Sequence, residues 1–171
     1  MTLVLMPFLW SDVSKLNVPE GFVIEEYVAD IDNPRQMVEG VNFIFVGTRS
    51  AGQVYAINKS DLNDVTVIVS DLDMPTGVAL KDVYLYIAET DTIHIFENVE
   101  KKLLSKEVLV SKIFFDDLPR KNMWNPLKKS WHGWKWIDFG PDGALYISEG
   151  VPCNVCDEDD HRYGTILRLN N

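Results

Sequence analysis

One pattern of fourteen residues recurs three times in this chain and limits its fold more than any other feature. Residues 34–47 align without a gap on residues 75–88, and the same register continues over residues 135–148, so that Val46, Ile87 and Ile147 coincide. Each copy reads as a short strand, a tight turn and a second strand of aromatic and β-branched residues. Third strands follow at 53–57, 92–96 and 165–169, and fourth strands are predicted at 64–70 and 106–112. Helical periodicity is nearly absent; residues 99–105 suit one turn. The anchors Pro34, Pro75 and Lys135 lie 41 and then 60 residues apart. The longer interval holds an insertion at 115–130, rich in Pro, Asn, Lys and Trp. Units of three or four strands recurring at about 40–50 residues predict β-propeller blades.

The expected fold is therefore all-β, a partial propeller of about three blades near 34–70, 75–112 and 132–171. Residues 1–16 are read as an N-terminal extension and 17–171 as the propeller part. A propeller ring needs roughly four to eight blades. The remainder is expected from a longer chain, a partner chain or an oligomer. The first ten residues are apolar, with no Lys or Arg, and are too short to span a bilayer. They read as a degenerate export signal, a strand or a docking segment, because a basic leading region and a small-residue cleavage site are both missing.

The formal net charge of −10 argues against phosphate-backbone binding, which needs a basic patch. Residues 157–160 are four consecutive acids, read as a solvated loop with a cation site as the lesser alternative. Cys153 and Cys156 are the only cysteines. One Cys-x-x-Cys is half of a typical zinc site, and Asp157 follows where covalent haem attachment would need histidine. A local disulfide, two thiols, and zinc with His161 as a third ligand all remain open.

The third unit is the most chemically loaded. His132 lies among Trp131, Trp134 and Trp136, just before an alternating strand, and Gly140-Pro141-Asp142-Gly143 marks the turn that follows. The tryptophans fit either a core or a stacking surface for a planar ligand. A histidine in such a turn is ordinarily a packed, hydrogen-bonded residue.

The ordered set Val18-Pro19-Glu20-Gly21-Phe22, Pro34-Arg35-Gln36-Met37, Phe45-Val46-Gly47-Thr48-Arg49, Met74-Pro75-Thr76-Gly77, His132-Gly133-Trp134-Lys135, Phe139-Gly140-Pro141-Asp142-Gly143 and Cys153-Asn154-Val155-Cys156 resembles the glucose/sorbosone dehydrogenase family, its L-sorbosone dehydrogenase-like branch in particular. The resemblance covers residues 17–170 and about half of the family's usual length. It implies a six-bladed propeller that uses pyrroloquinoline quinone (PQQ) to oxidise an aldose or sorbosone-type sugar at C1 and passes electrons to an external acceptor. It implies His132 as the base that takes the C1 hydroxyl proton. It places Arg35, Thr76 and Trp134 near the cofactor, Arg35 and Thr76 being repeat-equivalent positions leading into the inner strands. Calcium would be a further cofactor, with its ligands expected in blades outside this chain. A periplasmic or secreted location is also implied.

Two positions depart from the glucose-oxidising branch. Val151 stands where that branch has the base's acidic partner, leaving Glu149 as a stand-in, and Pro75 stands near its cofactor-contacting glutamine. Two other functions compete. One is a non-catalytic half-propeller acting as a binding scaffold. The other is a metal-dependent lactonase-like propeller, suggested by the equivalent positions of Glu89 and Glu149 but poorly completed by Thr48.

Overall fold

The computed structural model describes residues 13–119, 133–151, 155 and 160–170. His132, Trp131, both cysteines and most of the acidic loop lie outside the described residues. The chain divides into two compact units, Met1–Asp30 and Ile31–Asn171. In the first, Val13–Lys15 forms a single 3-10 turn, and Phe22 N–H closes a turn on the Pro19 carbonyl at 3.1 Å. The extended run after Gly21 is not a strand. Its β-prone residues have no ladder partner among the described residues, and a strand needs a neighbour to pair its backbone.

The second unit contains three antiparallel sheets and one short helix. The first sheet runs β1 (Pro34–Glu39), β2 (Phe43–Thr48), β3 (Val54–Asn58) and β4 (Val65–Val69), each strand beside its predecessor. The second repeats this order with β5 (Gly77–Lys81), β6 (Tyr84–Ala88), β7 (Ile93–Glu97) and β8 (Ser111–Phe115). Helix α1 (Val99–Ser105) lies between β7 and β8. The third sheet has β9 (Ile137–Phe139), β10 (Leu145–Glu149) and β11 (Thr165–Leu169). The all-β expectation holds, and the described sheets do not close on one another.

The second sheet is buried on both faces, which accounts for its nearly continuous apolar sequence. Val78, Leu85, Ile87 and Phe96 pack with Phe43, Phe45, Val54 and Ala56 of the first sheet. The alternate set, Ala79, Tyr86, Ala88 and Ile93, packs with Ile137, Leu145 and Ile147 of the third. Burying each large aliphatic side chain completely contributes roughly 1.5–3 kcal/mol.

Two details differ from the repeat as read in sequence. Strand β8 starts at Ser111, not near residue 106, because Lys106 takes a left-handed conformation (φ 57°) that ends α1. Residues 107–110 then form no regular structure. The helix is also more than one turn, and Glu100 ties it down: its Oε1 accepts the Asn42 and Phe43 backbone N–H groups at 2.7 and 3.0 Å. The second difference is one of register. Met37 opposes Val46 and Val78 opposes Ile87, but it is Ile137, not Asp138, that opposes Ile147. The third hairpin holds one residue more. Gly140 N–H bonds the Ala144 carbonyl across Pro141, Asp142 and Gly143, the last at φ 76°, whereas Gly40 bonds Phe43. Lys135, not Trp136, is thus the counterpart of Arg35 and Thr76.

The leading strands β1, β5 and β9 are each the edge of a separate sheet and lie side by side. Buried Gln36 joins all three. Its Nε2 donates to the Ile137 carbonyl at 2.6 Å, and its Oε1 accepts N–H groups from Val78 at 3.3 Å and Ile137 at 3.1 Å. Gly47 keeps the approach close: a Cβ there would stand 2.6 Å from the Pro75 and Thr76 carbonyl oxygens.

Two predictions follow from this framework. Gln36→Leu strands one buried acceptor and two buried donors, each worth about 1–3 kcal/mol when unsatisfied. The variant should lose at least about 3 kcal/mol in urea unfolding; a midpoint equal to wild type would refute the tie. In the third hairpin, Arg168, the Ala144 N–H and the Tyr146 hydroxyl hold the Asp142 carboxyl at a pKa of about 2, down from 3.8. A depressed folded-state pKa adds stability that is present above pH 3.8 and is lost as pH falls toward 2. The melting-temperature gap between wild type and Asp142→Asn should therefore be open at pH 5 and close between about pH 4 and pH 2.

Candidate functional site

The chemistry-bearing residues gather where β1, β5 and β9 begin and β2, β6 and β10 end. Thr76 is buried, and its hydroxyl donates to the Lys135 carbonyl at 2.9 Å. Thr48 N–H bonds the Pro75 carbonyl at 3.1 Å. These contacts tie the loop before β5 to the loop before β9 and to the end of β2. Arg35 is exposed, and its guanidinium turns back to the Pro34 carbonyl at 2.9 Å. Trp134 is half-buried, and the Arg49 guanidinium carbon sits 3.8 Å above its ring centroid. Of the residues singled out in the sequence, Thr76 and Trp134 therefore share one neighbourhood, and Arg35 makes its recorded contact elsewhere. His132 is not among the described residues.

Beneath Trp134 lies a buried ion pair. Lys135 Nζ donates to Glu149 Oε1 at 2.8 Å and to the Gly133 carbonyl at 2.9 Å, both side chains being inaccessible to solvent. Burial pushes the Lys135 ammonium pKa down and the Glu149 carboxyl pKa up, and the contact between them opposes both shifts. Glu149 Oε2 has no hydrogen-bond partner among the described residues.

The repeat-equivalent set Thr48, Glu89 and Glu149 is used three ways. Thr48 closes a loop through Gln53. Glu89 accepts the Asp73 N–H at 2.6 Å through Oε1 and meets His94 Nε2 at 3.0 Å through Oε2. Glu149 serves Lys135. Among the described residues, no three His, Cys, Asp or Glu side chains converge as metal ligands would. No described helix is long and apolar enough to cross a membrane.

Sequence reasoning missed Arg49 and the Lys135–Glu149 pair. The pair had a signal: a lysine in a tryptophan-rich run and a glutamate on the same side of an adjacent strand. Arg49 had none, since its aromatic partner belongs to another repeat.

No family model and no curated protein matches the chain. Among solved structures, an iodide structure of a Trichoderma reesei carbohydrate-active enzyme of family AA12 is similar, at a TM-score of 0.58 and 12% identity over 75% of this chain. A calcium structure of the Trichoderma reesei family AA12 enzyme is similar at 0.57 and 12%. At that identity the likeness concerns the fold. The chain spans about a third of the length of these neighbours (33% and 32%).

The buried pair generates its own prediction. Glu149→Gln leaves the Lys135 ammonium buried without a counter-charge, which costs about 3–5 kcal/mol. Lys135→Met with Glu149→Leu removes both desolvated charges and should recover wild-type stability or exceed it. Chemical denaturation of the single and double variants decides this; a neutral single variant would mean that the pair is not sealed from water.

Proposed function

We propose that the chain is the leading part of a six-bladed propeller enzyme that oxidises an aldose or sorbosone-type sugar at C1, with PQQ as cofactor. The observation that carries the reading is the architecture: three successive antiparallel sheets whose leading strands lie side by side. The likeness to carbohydrate-active enzymes of family AA12 supports it. The remaining blades would come from further chain or from a partner.

The described residues at the leading ends fit a planar anionic quinone in one respect. A half-buried indole and a cation share one place in a chain whose net charge is −10. Thr76, its hydroxyl bonded to the Lys135 carbonyl, contributes to shaping that place through the backbone of the Trp134 loop. Trp134 would bound the cofactor by its ring, and Arg35 would lie at the periphery. PQQ, when bound, supplies the acceptor for the C1 hydride. His132, two residues before Trp134, takes the proton from the C1 hydroxyl; an imidazole with an ordinary pKa near 6.5 suits that exchange at neutral pH. Calcium would be held by groups outside this chain, and electrons would leave to an external acceptor.

The test is dye-linked oxidation of aldoses by the protein supplied with PQQ and Ca²⁺. His132→Ala should lower the rate by about 10²–10⁴-fold, the range of a positioned general base. Equal rates would remove His132 from the chemistry. Absence of PQQ-dependent turnover in the wild-type protein would favour the second reading, a non-catalytic scaffold completed by another chain.

A further inference from the structure

We infer that the groove between helix α1 and the β1–β2 and β5–β6 turns binds an organic cation with an aliphatic body. The groove lies at the opposite ends of these strands from Thr76 and Trp134, so the inference is independent of the chemistry proposed there.

The groove has a volume of about 790 Å³, within the range of roughly 300–1,000 Å³ usual for small-molecule sites. Its walls are tied to one another before any ligand arrives. Glu100, in the first turn of α1, accepts the Asn42 and Phe43 N–H groups, and Val99 N–H bonds the Val83 carbonyl at 3.4 Å. The helix is thereby fixed against both turns.

The apolar side chains around the groove are not explained by the core. Helix α1 docks through Val99 and Leu103, which pack with the apolar cluster shared by the first two sheets. Leu104 takes no part in that cluster and is 58% exposed. Val41 and Val83 occupy hairpin turns, where Gly, Asn, Asp and Pro are usual, and they are 80% and 49% exposed. The third hairpin has the ordinary set, Gly140-Pro141-Asp142-Gly143. All three exposed side chains line this one groove. Local choices that break turn chemistry with no gain to the fold are expected at functional positions.

The polar groups select the charge of the ligand. Asp82 and Asn98 stand at the groove in left-handed conformations, φ 54° and 53°. Asn98 makes no side-chain cap to α1, and among the described residues neither the Asp82 carboxylate nor Glu100 Oε2 accepts a hydrogen bond. Glu39 is matched by Lys59, which leaves Asp82 and Glu100 against Lys101. Two carboxylates against one ammonium, in a chain of net charge −10, attract a cation and repel an anion. Among the described residues no aromatic ring lines the groove. Valine and leucine walls therefore suit an aliphatic body, and a polyhydroxylated sugar gains nothing from them.

The experiment is an amide-resonance NMR titration of the full chain with butylammonium, octylammonium, octanol and octanoate. Octylammonium should shift residues 40–42, 82–83 and 98–105. Its affinity should exceed that of butylammonium by about two- to fourfold per added methylene, as expected for burial of each CH₂. Octanoate, with a comparable body and the opposite charge, should bind at least about tenfold more weakly than octylammonium. Asp82→Asn should weaken octylammonium by about two- to fivefold, the range of an exposed ion pair, and leave octanol unchanged. Leu104→Ser should weaken octylammonium and octanol together. Asp116→Asn, an exposed acid outside the groove, should stay within about twofold of wild type. Should Leu104→Ser melt early, Val41→Ser at the more exposed position takes its place.

Equal affinity for octanoate and octylammonium overturns the proposal, as does the absence of a chain-length dependence or of shifts at the groove. Dimerisation that Leu104→Ser abolishes, with no response to octylammonium, overturns it too and assigns the groove to a second copy of the chain.

Discussion

Three sheets that meet edge to edge at their first strands face a problem of backbone chemistry. Each of β1, β5 and β9 has a neighbour on one side only, so the other side presents amide groups that burial would leave unpaired. The chain answers with a side chain instead of a ladder. Gln36 carries one amide acceptor and two donors, and it reaches both Val78 and Ile137 from within β1. Gly47 lets the next layer of backbone approach closely enough for the tie to hold. The junction holds Ile137, which opens β9 three residues after Trp134.

One position before Gln36 the three repeats diverge. Arg35, Thr76 and Lys135 are equivalent once the extra residue in the third hairpin is counted, and they behave differently: one exposed, one bonded across a loop, one paired in the core. A buried ion pair such as Lys135–Glu149 seldom adds net stability over apolar residues of similar size. Its effect here is positional. Lys135 Nζ also holds the Gly133 carbonyl, so the pair fixes the backbone on either side of Trp134.

Much of the architecture was legible because burial on two faces writes itself into sequence. Tyr84 to Ala88 reads as an unbroken apolar strand since alternate residues serve two different cores. The turns were legible only in kind. Gly140-Pro141-Asp142-Gly143 announces a turn, but not that it holds one residue more than its counterparts, and a slip of one residue moves Trp136 to an exposed position and Lys135 to the repeat position expected for it. Gln36 was illegible because a lone glutamine after Pro-Arg resembles surface sequence. Its burial is decided by two strands from other repeats. The same holds for Arg49, whose guanidinium lies over an aromatic ring in the loop before β9.

That dependence separates what repetition can build from what it cannot. Three similar units supply similar strand ends, and repeat-equivalent positions alone would place similar groups at each of them. The Arg49–Trp134 stack instead joins the end of β2 in one unit to the loop before β9 in another, two positions that are not equivalent in the repeat. Near them, Thr76 ties the loop before β5 to the Lys135 carbonyl, and Gly47 lets the end of β2 approach the Pro75 and Thr76 carbonyls closely. Contacts that break the repeat, such as this one, are the part of the structure that repetition does not supply. Gln36, which ties β1 to β5 and β9, belongs to the frame, whereas the Arg49–Trp134 contact is laid over it between positions that the repeat does not relate.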